Sequence, residues 1–483
     1  MTADISAISP ERSSSSHVLA GLGILVIGGA LSFLSPLVLV GLLGLLTFAA
    51  VIYLSPRDPA TILSLGVLAM FGMPARYIFE PLGAAGAPAI MFGVAAFGWW
   101  LTTRLSSASG AAHGHNPVRV GTGVLLVTML ASYAAGFARP LYDLEASNSD
   151  RTLIIWFAYI GYLLLAADGI NTRDRLDTLL RRIVWGATFM SVVGLLQFLA
   201  GYDLTEVLAL PGLTYNVPEF TSTFARSDFT RVAGTALHPI EFGVVGASVL
   251  PFALHYAFND IGKHVIVRWA PVAIIGFAVP MAISRSAILG LLVVGLVQIP
   301  TLPAERRFQT MLAAFVGTGA MTVVVPGLLG TIRSFFVNAD QDPSIEGRTE
   351  DLETVVAYFR EAPFFGRGFG TFTPALYDFL DNQFFMQLIE TGAVGMLGLI
   401  FFMVVAIWTA RQVRRWTIVR DRPTADLAQA MVACIAVHFF TFATYDALSF
   451  RIAGMSLFLI IGAAGALWRM ERPVVEFATT EGR

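Results

Sequence analysis

WAPVAIIGFAVPMAISRSAILGLLVVGLVQI, residues 269–299, is a continuous apolar stretch broken near its middle by Ser284-Arg285-Ser286. One crossing of a hydrocarbon core about 30 Å thick uses only about 20 residues at 1.5 Å each, so the stretch is too long for a single span. Basic residues stand at both ends, Lys263 and Arg268 before it, Arg306 and Arg307 after it. Basic loops collect on the cytoplasmic side of a membrane, so the chain must cross, turn at Ser284–Ser286 and return. Each arm is then about 15 residues, about 22 Å of helix, which leaves Arg285 below the outer surface and inside the protein. An arginine at that depth costs at least a few kcal/mol unless it is paired or lines a wet cavity. Arg285 is therefore a candidate site residue, with a structural ion pair as the alternative.

The rest of the chain agrees with a membrane setting. Of its 483 residues 56% are apolar and 13% charged, with mean hydropathy +0.71, whereas soluble domains carry about 25% charged residues. That excludes a soluble globular protein, and the net charge of -2 argues against a nucleic-acid partner. Cys434 is the single cysteine and can form no internal disulfide. Apolar runs predict an all-α, polytopic protein of about fourteen transmembrane helices, over 18–34, 36–54, 60–78, 88–103, 119–138, 152–167, 184–201, 239–257, 269–283, 286–300, 308–329, 383–408, 427–444 and 450–468. Alternate connections hold Arg173, Arg175, Arg181 and Arg182, then Lys263 and Arg268, then Arg306 and Arg307, then Arg411, Arg414, Arg415, Arg420 and Arg422. Taking those as cytoplasmic puts about 20 of 31 basic but only about 13 of 33 acidic residues inside. Both termini are then cytoplasmic, and no cleavable signal peptide is expected.

Two external segments exceed mere connections: 202–238 and 330–382. The second is expected to carry an amphipathic helix, because Asp342-Pro343 is a start signal and Leu352, Val355, Val356 and Phe359 recur at helical spacing. It would lie on the outer membrane face or serve as a lid on the spans.

Guanidinium groups facing an external cavity suit bidentate binding of phosphate. Besides Arg285 the candidates are Arg231, in RVAGTALHP, and Arg348, in EGRTEDLE. His238 and Glu241 stand beside Arg231 at the mouth of a span; a histidine there is more often an interfacial residue than a catalyst. The glycines of FFGRGFGTF, Gly366, Gly368 and Gly370, offer backbone amides to an anion, although a plain turn is their commoner use. Asp381 ends the long external segment, Glu390 follows within the next span, and Asp446 stands in the last external connection. A lipid-facing carboxylate is expensive, so Glu390 is expected to face the bundle interior and to partner an arginine such as Arg285.

These motifs together resemble the O-antigen ligase and polymerase superfamily, polytopic transferases of undecaprenyl-diphosphate-linked glycans, over roughly 231–467. In DNQFFMQLIETGAVG, Asn382, Gly392 and Gly395 match the spacing of a family motif in which a histidine and a small polar residue precede nine residues and Gly-x-x-Gly. RVAGTALHPIEFG, the SRSA turn and GRTEDLETVVAYFREAPFFGRGFGTF agree as well. The family's histidine position is Asp381 here, a departure that weakens the case for lipid A core as acceptor. Aspartate can still accept the proton of a sugar hydroxyl.

The resemblance implies one transmembrane glycosyltransferase domain, 1–483, with the extracytoplasmic loop 330–382 inside it. It implies a multi-pass protein of the bacterial cytoplasmic membrane whose site faces outward. Asp381 and Asn382 would be catalytic, Arg231, Arg285 and Arg348 would hold the diphosphate, and His238, Glu241 and Glu390 would support them. The donor would be an undecaprenyl-diphosphate-linked oligosaccharide and the acceptor a glycan or glycolipid, with no cofactor. Asp340 and Asp342 have metal-ligand spacing, but Pro343, Asn338 and Gln341 around them fit a turn, so metal independence is expected. The rival reading is a secondary transporter or lipid-linked glycan flippase, in which Arg285 and Glu390 would bind an anion or carry protons.

Overall fold

The computed structural model describes residues 58–105, 114–207, 212–215, 225–226, 229–337 and 343–473. All belong to one compact unit, Asp58–Arg483. The expected spans 18–34 and 36–54 lie outside the described residues.

Helices dominate: α1 (Pro59–Gly72), α2 (Pro88–Leu105), α3 (Pro117–Gly136), α4 (Asp143–Gly169), α5 (Arg173–Ala200), α6 (Pro239–Asn259), α7 (Val265–Ala278), α8 (Arg285–Gln298), α9 (Ala304–Val324), α10 (Leu328–Val337), α11 (Pro343–Glu361), α12 (Gln383–Thr417), α13 (Arg422–Thr441) and α14 (Arg451–Glu471). Among the described residues the strands are two residues each and form a pair of two-stranded ribbons. Eight helices are long and apolar enough to cross a membrane, or nine if the bent pair Glu80–Gly86 and Pro88–Arg104 counts as one. The segments Pro59–Gly72 and Arg285–Thr301 are apolar but shorter. The expected span 308–329 falls on α9, which opens with Glu305-Arg306-Arg307 and is not among the eight. An all-α polytopic architecture holds, while the count of fourteen is not established.

α14 is the axis of the bundle, with its apolar window entirely buried, and α6 and α13 are nearly as deep. Its small residues let neighbours approach closely: a side chain at Gly462 would meet the Leu163 carbonyl oxygen of α4 at 2.3 Å. Close backbone approach of this kind drives helix association in lipid, where no hydrophobic gain separates one apolar surface from another. Because consecutive helices alternate in direction, their connections fall at two ends. One end carries the basic residues and pairs them, as in Arg181–Asp260 at 2.6 Å, Arg422–Asp426 at 2.9 Å and Arg420–Glu471 at 2.6 Å. The other end carries the candidate residues.

The predicted turn of the quoted stretch is present. α7 tightens into a 3₁₀ segment at Val279–Ala282, reverses at Ile283-Ser284 and restarts as α8 at Arg285. Ile283 has φ 45° and ψ 51° and is fully buried, the only non-glycine with positive φ among the described residues. A β-branched residue in that region costs on the order of 1–3 kcal/mol, and such strain is characteristic of functional sites.

Candidate functional site

The last connection, 442–450, gathers the other elements around it. Asn382 donates to the Ala443 carbonyl at 3.2 Å, and the Gln383 amide donates to the carbonyls of Phe442 at 2.8 Å and Tyr445 at 3.2 Å. The Gln383 Oε1 accepts from the Leu448 amide at 2.7 Å. Ser286, beside Arg285 in the strained turn, donates to the Thr444 carbonyl at 3.5 Å. The start of α12 and the α7–α8 turn therefore meet at one place.

Arg231 reaches the same turn. It is buried, and its Nε donates to the Ala282 carbonyl at 3.1 Å, three residues ahead of Arg285. His238 caps α6, its Nδ1 accepting from the Ile240 amide at 3.2 Å. Burial, reinforced by the nearby charges of Arg231 and Arg76, pulls the His238 pKa down to about 3. It is accordingly a neutral ring at ordinary pH. Arg76, buried between α1 and α2, donates to the Tyr215 hydroxyl at 2.6 Å and adds a cation that reading the sequence did not single out. Nothing in the sequence marks it, because it lies more than a hundred residues from Arg231 and Arg285 in an unremarkable connection.

The carboxylates take different roles. The α12 cap is Asn382, whose Oδ1 accepts from the amides of Phe384 at 2.9 Å and Phe385 at 3.3 Å. Capping is thus met by Asn382, and Asp381 stands just before it. Asp446 lies within electrostatic reach of Asp381 and is buried. Its Oδ2 accepts from the Ser449 hydroxyl, while Oδ1 has no hydrogen-bond partner among the described residues. Burial raises the Asp446 pKa to about 6; the Ser449 hydrogen bond opposes that shift and the Asp381 charge adds to it. Glu241 is a brace: it is fully buried, Oε1 accepts from the amides of Ile452 at 2.7 Å and Ala453 at 3.2 Å, and Oε2 from Leu237 at 2.8 Å. A carboxylate on the first amides of α14 also complements the positive end of that helix.

Glu390 differs from expectation. Rather than an ion pair with Arg285, its Oε1 accepts from the backbone amide of Phe372 at 3.2 Å. The reason is a break in α12 at Gly392, φ 62°, into which the FFGRGFGTF loop is seated. Amides of Arg367 and Gly368 donate to the carbonyls of Ile389 at 2.9 Å and Glu390 at 3.0 Å; Ala393 and Val394 donate back to Pro363 at 2.8 Å and Phe364 at 3.1 Å. The break would leave these backbone groups orphaned in an apolar interior, and the loop satisfies them. Within this loop the amides of Gly366, Arg367 and Gly368 serve the chain's own carbonyls, while those of Gly370 and Phe372 are turned to the Glu390 carboxylate. A second cluster holds the loop to α4: Tyr377 donates to Glu145 at 2.8 Å, and Arg139 donates to the same carboxylate at 2.8 Å.

α11 forms as the Asp342-Pro343 signal predicts. Val355 is buried against Phe372, Leu380, Met386 and Ile389, whereas Leu352 and Val356 are exposed. The Arg348 side chain lies outside the described residues, as do Asp340 and Asp342.

Residues 270–400 match a family model described as O-antigen ligase. The stretch is thus similar to the O-antigen ligase family over about a quarter of the chain. It runs from α7 through the break in α12 and includes Arg285, Arg348, Asp381, Asn382 and Glu390. The resemblance to the O-antigen ligase and polymerase superfamily is thereby supported, and the long apolar helices support a multi-pass helical membrane protein. Arg231, His238, Glu241 and Asp446 lie outside the matched residues; Arg231 touches the matched stretch at Ala282, and Asp446 lies within electrostatic reach of Asp381. No curated protein matches the chain.

Proposed function

We propose that the chain is an inverting membrane glycosyltransferase that moves or polymerises an undecaprenyl-diphosphate-linked glycan onto an acceptor hydroxyl at the outer face of the bacterial cytoplasmic membrane. The observation that carries this reading is the meeting of Arg231 with the strained SRSA turn, beside a connection that also holds Asp446 next to Asp381.

The acceptor oxygen attacks the anomeric carbon as the bond from that carbon to the diphosphate oxygen breaks. The hydroxyl proton passes to Asp381, the general base, and then to water; undecaprenyl diphosphate leaves with the bonding pair. Neighbouring carboxylates favour holding a proton between them, which suits Asp381 and Asp446 to receive it. Charge grows on the departing diphosphate, where the guanidinium groups of Arg231, Arg285 and Arg348 would stabilise it. The reaction written this way needs no metal and no cofactor. The whole chain, 1–483, is taken as one transferase domain, with the extracytoplasmic loop 330–382 within it.

The test is deletion in the native host followed by analysis of envelope glycans. Accumulated undecaprenyl-linked glycan on the outer leaflet supports transfer; accumulation on the inner leaflet supports the rival flippase.

A further inference from the structure

At the end opposite the candidate site, α12, α13 and the end of α8 enclose a cavity of about 420 Å³. Its wall joins two chemistries. Leu296, Val297, Ile418 and Val432 are apolar; Arg411, Arg414 and Arg415 carry charge. Leu296 is exposed at the mouth, and with Leu292 it presents an apolar face outward from the bundle. Gln429 donates to the Val297 carbonyl at 2.8 Å and ties the floor together.

The positive charge exceeds what the neighbourhood neutralises. Arg306, Arg414 and Arg422 converge on one buried carboxylate, Asp426, at 3.3, 4.0 and 2.9 Å. Arg415 donates only to the neutral Gln412, at 3.2 Å. Arg411 makes no hydrogen bond or ion pair among the described residues and is exposed. An anionic group is the complement of such a wall, and one with apolar chains attached also covers the leucine and valine surface.

We propose that this cavity binds the phosphate headgroup of an anionic membrane phospholipid, whose acyl chains lie along Leu296 and Val432. Basic recesses between transmembrane helices are suited to phosphate headgroups, and a cavity of this volume holds one comfortably. The distance from Gly392 to Arg414 along α12 is about 33 Å of helix, so this site is separate from the diphosphate site and is independent of the proposed reaction.

The experiment uses the purified full-length chain in detergent, its unfolding midpoint followed as dioleoyl phosphatidylglycerol, dioleoyl phosphatidylcholine or inorganic phosphate is added. Saturable stabilisation by phosphatidylglycerol alone is expected. The double variant Arg411→Gln/Arg415→Gln should weaken that response by roughly tenfold or more, since each basic residue near an anionic lipid surface contributes on the order of fivefold. If the double variant fails to fold, Leu296→Trp, which narrows the exposed mouth, should weaken it instead. Equal response to phosphatidylcholine, reproduction by inorganic phosphate, or an undiminished response in the variants overturns the proposal.

Discussion

Asp381 stands one residue ahead of the α12 cap, and that small displacement separates two roles an aspartate could fill. Asn382 makes both cap hydrogen bonds, so Asp381→Asn should leave the helix intact. General base catalysis contributes about 10²- to 10⁴-fold; the variant should lose transfer by that order at unchanged expression and donor binding, measured as glycan transferred per enzyme. His238 behaves oppositely. Already neutral and capping α6, it should tolerate His238→Asn, because asparagine is among the best caps; a pH–rate profile should keep its shape. Asp446 offers a pH signature. Its folded pKa of about 6 lies above the ordinary 3.8, so the folded protein retains a proton that the unfolded chain has released between those values. Stability from this group is complete below about pH 4 and is lost as pH rises to about 6, on the order of 3 kcal/mol. Asp446→Asn should accordingly raise the unfolding midpoint at pH 7 and have little effect at pH 4.

Two backbone devices, the α7–α8 turn and the broken α12, position those residues. The turn was legible in the sequence, because a charge in the middle of an apolar run too long for one span leaves no other geometry. The break was not. Gly392 and Gly395 read as a spacing, and only the seated loop shows why one of them must be glycine: a side chain at Gly392 would meet the Phe364 carbonyl at 2.5 Å, on a backbone with φ 62°. Gly392→Ala should therefore cost about 2 kcal/mol or more, seen as a lowered unfolding midpoint with the loop's protease resistance lost. The same seating explains why Glu390 meets backbone amides of the glycine-rich loop and not Arg285: the interior hydrogen-bond needs of a broken helix come first, and they depend on contacts between distant segments. Arg76 and the Asp381–Asp446 pairing were hidden for the same reason, since short connections acquire meaning only when the helices they join are brought together.

At the scale of the molecule, charge asymmetry and helix alternation carry the orientation. Reporter fusions at Asp378, in the loop seated against α12, should behave as external, and fusions at Asp260 as cytoplasmic, in keeping with the basic connections around Arg181 and Lys263. The helical, polytopic architecture was readable from apolar runs; the number of crossings was not, because α8 and α9 differ from ordinary spans in length and in terminal charge. The proposed function rests on one chemical event, cleavage of the glycan from its lipid diphosphate. The direct measurement is reconstitution of the purified chain into vesicles holding an undecaprenyl-diphosphate-linked oligosaccharide and an acceptor glycan, with lipid and sugar products quantified together. The account predicts release of undecaprenyl diphosphate in step with glycan joined to the acceptor, both slowed together when Arg285 is replaced by lysine; glycan that crosses the bilayer still attached to its lipid, with no diphosphate released, would contradict it.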